Sequence, residues 1–224
     1  MNNYLIVNKN SYFKKKLKNT KRSKFYHITD KKNLSTKKIL KIKPKIIFFP
    51  HWSWIIDKNF LKNNICVGFH STPLPYGRGG SPIQNMIIRG HNKTLISAFK
   101  IEKSLDTGPI FMQTKLNLKG DGHEIFEKMY RKILTMIVKM TGKLPKPSKQ
   151  KGKVRYFKRL KKSDGQIKNN YDILKIFNLI RSLDMNNKNY SSAFIGLKNV
   201  KVSFLKAKIK KNKISASAIF EKIS

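Results

Sequence analysis

Acidic residues are scarce in this 224-residue chain: 11 Asp and Glu stand against 50 Lys and Arg, a formal net charge of +39. So few carboxylates offer little to a metal ion. The five histidines, at 27, 51, 70, 91 and 123, are scattered without ligand spacing, so no metal site is expected. Cys66 is the only cysteine, which excludes a disulfide within the chain and fits a reducing cytoplasm. No stretch approaches the roughly 18 apolar residues of a membrane-spanning helix. The apolar run near Met1 is too short for a secretory signal, so a cytoplasmic location is expected. Arginine is also scarce, since only seven of the 50 basic residues are Arg. Dedicated nucleic-acid binders more often cluster Arg for bidentate contacts. With Ile and Asn also abundant, the lysine excess reads as compositional bias at neutral surface positions. Its milder consequence is attraction for anionic ligands, phosphates included.

What is present is enough apolar material for a packed core: 39% hydrophobic and 11% aromatic residues. Three runs, Tyr4–Val7, Lys45–Phe49 and Ile65–Phe69, are apolar without alternation, the pattern of strands buried on both faces in a parallel sheet. Segments of helical spacing lie between them, among them Ser35–Lys43 and a Lys-rich stretch at Lys14–Asn19. The expected fold is therefore α/β, a Rossmann-like, mostly parallel sheet with flanking helices. Leu95–Ile101 and Ile110–Leu118 read as further strands. The strongest helix covers 123–140, with Ile125, Phe126, Met129, Ile133, Leu134, Ile137 and Met140 on one face. Residues 1–141 form the expected main domain. Residues 142–168 carry eleven basic residues and one acid and read as an exposed basic linker. Residues 169–224, with a helix at Ile173–Leu183 and strands near Val200–Lys208 and Lys213–Phe220, form a small α+β C-terminal appendage. These tail strands could mediate a homodimer or cover a substrate.

The segment that carries chemistry runs from Cys66 to Ile83. His70 follows directly on a buried strand and precedes a loop rich in Gly and Pro, Ser71–Pro82, with Ser81 as N-cap and Pro82 at the first turn of the next helix. Ligands of open α/β sheets bind beyond the carboxyl ends of strands, which is where this histidine falls.

Here the chain resembles the folate-dependent formyltransferases, a family that includes methionyl-tRNA formyltransferase and the N-formyltransferases of nucleotide-linked amino sugars. The likeness is carried by His70, Leu74-Pro75, Arg78-Gly79, Pro82-Ile83 and the turn Leu105-Asp106-Thr107-Gly108-Pro109, with His70 and Asp106 spaced 36 positions apart. Ile47–Ile56 and the loop Pro75–Asn85 look most similar to the sugar branch found with nonulosonic-acid (pseudaminic-type) pathways. The resemblance implies transfer of a formyl group from 10-formyltetrahydrofolate to a primary amine. The implied acceptor is a nucleotide-linked amino sugar, with methionyl-tRNA as the alternative. It implies proton transfer by His70 and orientation of His70 by Asp106 as the catalytic pair. It places Trp52, Ser53, Trp54, Leu105 and Asp106 at the folate, and Arg78 and Gly79 at a phosphate or as braces of the loop.

One departure stands out. The family has an Asn two residues before the His, which donates to the formyl oxygen; here Gly68 stands there. Three readings remain open. Ser71, Thr72, Asn85 or a backbone N–H replaces that donor, with Gly68 letting a ligand approach the backbone; protonated His70 serves alone; or the protein is catalytically weak or inactive and binds on a formyltransferase scaffold.

Overall fold

The computed structural model describes residues 1–9, 11–51, 56–184 and 191–223. The chain divides into two units, residues 1–78, 95–115 and 129–155 in the first and 79–94, 116–128 and 156–224 in the second.

The first unit is built on a six-stranded sheet of order β2-β1-β3-β4-β6-β7. Its strands are β1 (Asn2–Val7), β2 (Ser23–Ile28), β3 (Ile46–Phe49), β4 (Cys66–His70), β6 (Lys93–Lys100) and β7 (Ile110–Asn117). β2, β1, β3 and β4 are mutually parallel, and β6 is antiparallel to β4, with His70 opposite Ser97. The sheet is thus mostly parallel, as the unbroken apolar runs require. Tyr4 to Val7 and all of β3 are buried. The period of two sends their side chains to opposite faces. On one face Leu5, Val7, Ile47, Phe49 and Cys66 pack with Ile39 and Ile42 of α2 (Thr36–Ile42). An aromatic row also crosses the sheet: Tyr4 lies 5.7 Å from Phe25 and 6.4 Å from Phe48, and Phe48 lies 6.3 Å from Phe69, centroid to centroid. The Tyr4 hydroxyl donates to the Thr141 carbonyl (2.9 Å) in α5 (Gly122–Gly142), whose buried stripe in this unit is Met129, Ile133, Met136, Ile137 and Met140. Burial pushes the Cys66 thiol up to about 12, so it is a packing group and not a nucleophile.

Three elements depart from the sequence expectation. β2 shows no apolar run because it is an edge strand, only half-buried along most of its length. α1 (Tyr12–Lys16) begins two residues before the Lys-rich stretch and ends three residues before Asn19. α3 (Lys58–Asn63) is one short helix with no fully buried residue, and only Phe60 and Leu61 pack against the core, too few to show a helical period. Asp57 caps it, accepting from the N–H groups of Asn59 and Phe60.

In the second unit α4 (Pro82–Ile88) packs with α6 (Ile173–Leu183), and a sheet of order β11-β10-β9 is made by β9 (Ala193–Leu197), β10 (Val200–Lys210) and β11 (Lys213–Lys222). Leu179, Ile180, Leu183 and Ala193 form its core, with Ile88, Leu160 and Phe204 against them. The buried Arg181 guanidinium donates to Asn178 and to the carbonyls of Leu118 (2.6 Å) and Gly120 (3.1 Å). Pro82 occupies the first turn of α4 as expected, but the Ser81 hydroxyl does not cap that helix. It accepts instead from the Leu160 N–H (3.0 Å). The linker, too, is more than an exposed arm. Tyr156–Phe157 forms β8 against β5 (Arg78–Gly79), and Phe157 is buried. Gly79, at φ 105°, admits no side chain, because a Cβ would stand 2.4 Å from the Phe157 carbonyl. Among the described residues no helix is long and apolar enough to cross a membrane, and no group of three or more His, Cys, Asp or Glu could hold a metal.

Candidate active site

β4 carries His70 to the carboxyl end of the parallel strands, and the chain then enters a loop that folds back on the ring. His70 Nε2 lies 2.7 Å from the Gly77 carbonyl, and Nδ1 lies 3.5 Å from Asp106 Oδ2. Both side chains are mostly withdrawn from solvent, at 8% and 13% exposure. This juxtaposition joins the two residues that the sequence placed 36 positions apart. Carbonyl and carboxylate only accept, so each ring nitrogen faces an acceptor. Asp106 adopts φ 53°, the left-handed region that non-glycine residues seldom occupy. Its turn is pinned by Gly108, where a Cβ would stand 1.8 Å from the Lys100 carbonyl, and by the Lys100 N–H donating to Pro109 (2.8 Å).

The candidate oxyanion donors fare unequally. The Ser71 hydroxyl is buried and donates to Met129 Sδ at 3.1 Å. Thr72 is fully buried, its hydroxyl reaching the Gly77 carbonyl at 3.3 Å and its own carbonyl accepting from Ser97 Oγ at 2.7 Å. Asn85, in the second unit, spreads its amide hydrogens over the carbonyls of Gly80, Ser81 and Lys158 (3.0–3.1 Å), while its Oδ1 accepts from Arg89 (2.6 Å). An amide so committed holds loop and linker segments together and has no hydrogen to offer a substrate. Gly68 does not open the backbone to a ligand either. A Cβ there would lie 2.9 Å from the Phe99 ring and 3.1 Å from Ile101, so neighbouring side chains fill the volume of the family's Asn.

Leu105 is 63% exposed, an apolar side chain held out beside Asp106. Trp52, Ser53 and Trp54, the expected aromatic wall, lie outside the described residues. Just before them, His51 Nδ1 is 2.9 Å from the Tyr130 hydroxyl. Arg78 directs Nε and Nη2 to Gln150 Oε1, at 3.1 and 2.6 Å. Gln150 Nε2 in turn donates to the carbonyls of Asp106 and Gly108, both at 2.8 Å. Gln150 was hidden in the lysine-rich linker. The one signal that could have marked it is that an uncharged amide there is an oddity among cations.

The comparisons with known proteins concern the family and the fold. Residues 7–140 match the family described as formyl transferase, and residues 162–221 match the one described as methionyl-tRNA formyltransferase, C-terminal domain. A protein named methionyl-tRNA formyltransferase from Thermodesulfovibrio yellowstonii is 29% identical over 77% of this chain and 58% of its own length. The chain thus spans little more than half of that curated relative, and 48% of the next. A solved structure titled methionyl-tRNA formyltransferase from Clostridium thermocellum superposes with a TM-score of 0.91 at 39% identity, covering 99% of this chain and 100% of that one. A sugar N-formyltransferase from Shewanella sp shares the fold at 14% identity, with a TM-score of 0.65 over 100% of this chain and 98% of that one.

Proposed function

Since the chain belongs to the formyl transferase family, we propose that it moves a formyl group from 10-formyltetrahydrofolate to a primary amine, and that His70 is the proton carrier. The observation that carries this reading is the 3.5 Å approach of Asp106 to His70 at the end of β4. The donor supplies an activated formyl carbon. As the new C–N bond forms, the amine must shed a proton and the departing folate nitrogen must gain one. His70 can relay that proton through its own ring, and Asp106 stabilises the charge while the proton is in transit. Gly68 is covered by Phe99 and the Asn85 amide is engaged, so neither supplies the missing oxyanion donor, and His70 reaches a substrate by releasing the Gly77 carbonyl from Nε2. The exposed Leu105 beside Asp106 offers an apolar surface for a flat ring, and Trp52 and Trp54 keep their assignment to the pterin as part of this proposal.

Two acceptors fit, and both hang an amine on a phosphate-bearing molecule that a chain of +39 charge attracts. Methionyl-tRNA is the one favoured by the names of the relatives and by the match of residues 162–221 to that enzyme's C-terminal domain. The nucleotide-linked amino sugar, first choice on the loops Ile47–Ile56 and Pro75–Asn85, therefore takes second place. In its support, a sugar N-formyltransferase shares the fold over nearly its full length. On either reading the two donors that Arg78 gives to Gln150 favour its part as a brace of the loop.

The test is direct. Purified chain is mixed with 10-formyltetrahydrofolate and either methionyl-tRNA or UDP- and dTDP-linked amino sugars, and release of tetrahydrofolate is followed. Release with one acceptor class and not the other assigns the substrate, and none with either sinks the proposal. His70→Ala should slow transfer by about 10²–10⁴-fold, and undiminished turnover would remove His70 from its role.

A further inference from the structure

Beside the reacting pair lies a side chain that no part of the reaction uses. We infer that Gln150 is a positioning residue of this site: it sets Asp106 onto His70 by holding the backbone of the 105–109 turn, while Arg78 fixes which way its amide points. The inference rests on the formyl-transfer reading for its kinetic consequence and on geometry alone for its structural one.

The argument begins with the partners. A guanidinium only donates and a carbonyl only accepts. Arg78 therefore assigns the oxygen end of the Gln150 amide, and the carbonyls of Asp106 and Gly108 assign the nitrogen end. Both hydrogens and the oxygen are used, so the group has one orientation. Its reach is set by the backbone as well. Ser148 and Ile110 exchange both backbone hydrogen bonds, at 2.7 and 2.9 Å, and this places residue 150 two positions past a fixed bridge to the start of β7. The turn needs such support. Asp106 sits at φ 53°, a conformation that persists where the surroundings over-determine it. Its carboxylate meets His70 at 3.5 Å, the outer part of ion-pair range, so a shift of about 1 Å in the turn would part them. Within the turn Leu105 is exposed, Gly108 has no side chain, and the Thr107 hydroxyl donates to the Ser104 carbonyl at its start (3.1 Å). Gln150 is the side chain that comes from a distant segment to the carbonyls of Asp106 and Gly108.

The test uses the full chain with Gln150→Glu, which keeps size and an acceptor for Arg78 but turns both donors into oxygen, and with Gln150→Leu as a second variant. In protein without substrates, amide exchange over residues 101–110, followed by mass spectrometry, should quicken about tenfold in both variants. Residues 129–140 of α5 serve as the internal control and should not change. In transfer assays kcat should fall about 10–100-fold with each KM held within about threefold. Asp106→Asn combined with Gln150→Glu should be no slower than Asp106→Asn alone, because one residue acts through the other. Wild-type exchange over 101–110 in Gln150→Glu overturns the inference, as does a double variant slowed by the product of the two single effects. Should Gln150→Leu also loosen α5, the glutamate variant decides. Should the wild-type chain transfer no formyl group, the functional reading fails by itself and the exchange measurement still decides the positioning of the turn.

Discussion

β1, β3 and β4 in the first unit and β10 and β11 in the second are all strands, yet different forces specify them. The first three are buried on both faces and take partners distant in sequence, with Tyr4 opposite Ile46 and Phe49 opposite Gly68. Such strands tolerate almost no polar side chain, because a buried polar group without a partner costs about 1–3 kcal/mol. β10 and β11 are neighbours joined by a tight turn at Lys211, at φ 50°, and their register follows from that turn as far as a bulge between Phe204 and Lys206, with Ile209 facing Ile214 and Lys210 facing Lys213. Their outer halves are largely exposed and carry Lys206, Lys208, Lys210 and Lys213. A strand held by its turn can be polar; a strand held by burial takes a polar side chain only with partners. His70 stands on the second kind, with both ring nitrogens partnered.

The comparison can be broken or sharpened by substitution. The largest expected effect is in the buried sheet. Phe48→Ala removes a fully buried ring from the aromatic row and should cost about 3–5 kcal/mol in urea unfolding followed by circular dichroism. A cost below about 1 kcal/mol would mean that the row does not hold the sheet. Next comes Arg181→Met in the second unit, which strips three charge-assisted hydrogen bonds from a buried site. A loss of about 2–3 kcal/mol is expected by the same measurement. A smaller effect concerns acid. Burial and then the nearby Lys14 lower the His27 pKa below its ordinary value. The folded state therefore favours the neutral ring, and stability is full above about pH 6.5 and declines as pH falls through that value towards the lowered one. His27→Gln should flatten this decline between pH 7.5 and 5, read as the shift in urea midpoint. An equal decline in the variant would assign the acid sensitivity elsewhere. The smallest effect is Phe220→Ser on β11, 71% exposed, expected to change stability by less than about 0.5 kcal/mol. A larger loss would show that the hairpin is held by more than its turn.

Legibility follows the same division. The buried runs announced β1, β3 and β4 within two residues, and the bounds of α6 match the expected helix because its apolar face is continuous and Asp172 caps it. β2 stayed hidden since an edge strand needs no apolar run. The His70–Asp106 pair was readable from the strand-end position and the motif that resembles the family. Its support was not. Gln150 contacts the turn through backbone carbonyls, which leave no mark on the sequence of the residues that own them. The commitment of Asn85 to Lys158 is equally silent, since it joins segments 73 residues apart. Position 68 shows the same limit: a glycine there reads as open space, and only packing reveals Phe99 in that volume.

That last contact has a consequence for how such a site can change over time. A side chain at position 68 has to move the edge of the Phe99 ring, because the two share one volume. Gly68→Asn alone must displace Phe99, and a smaller residue at 99 alone leaves a hole beside the strand. The two positions form an epistatic pair. A library that varies both positions together therefore samples packings that scanning each in turn does not.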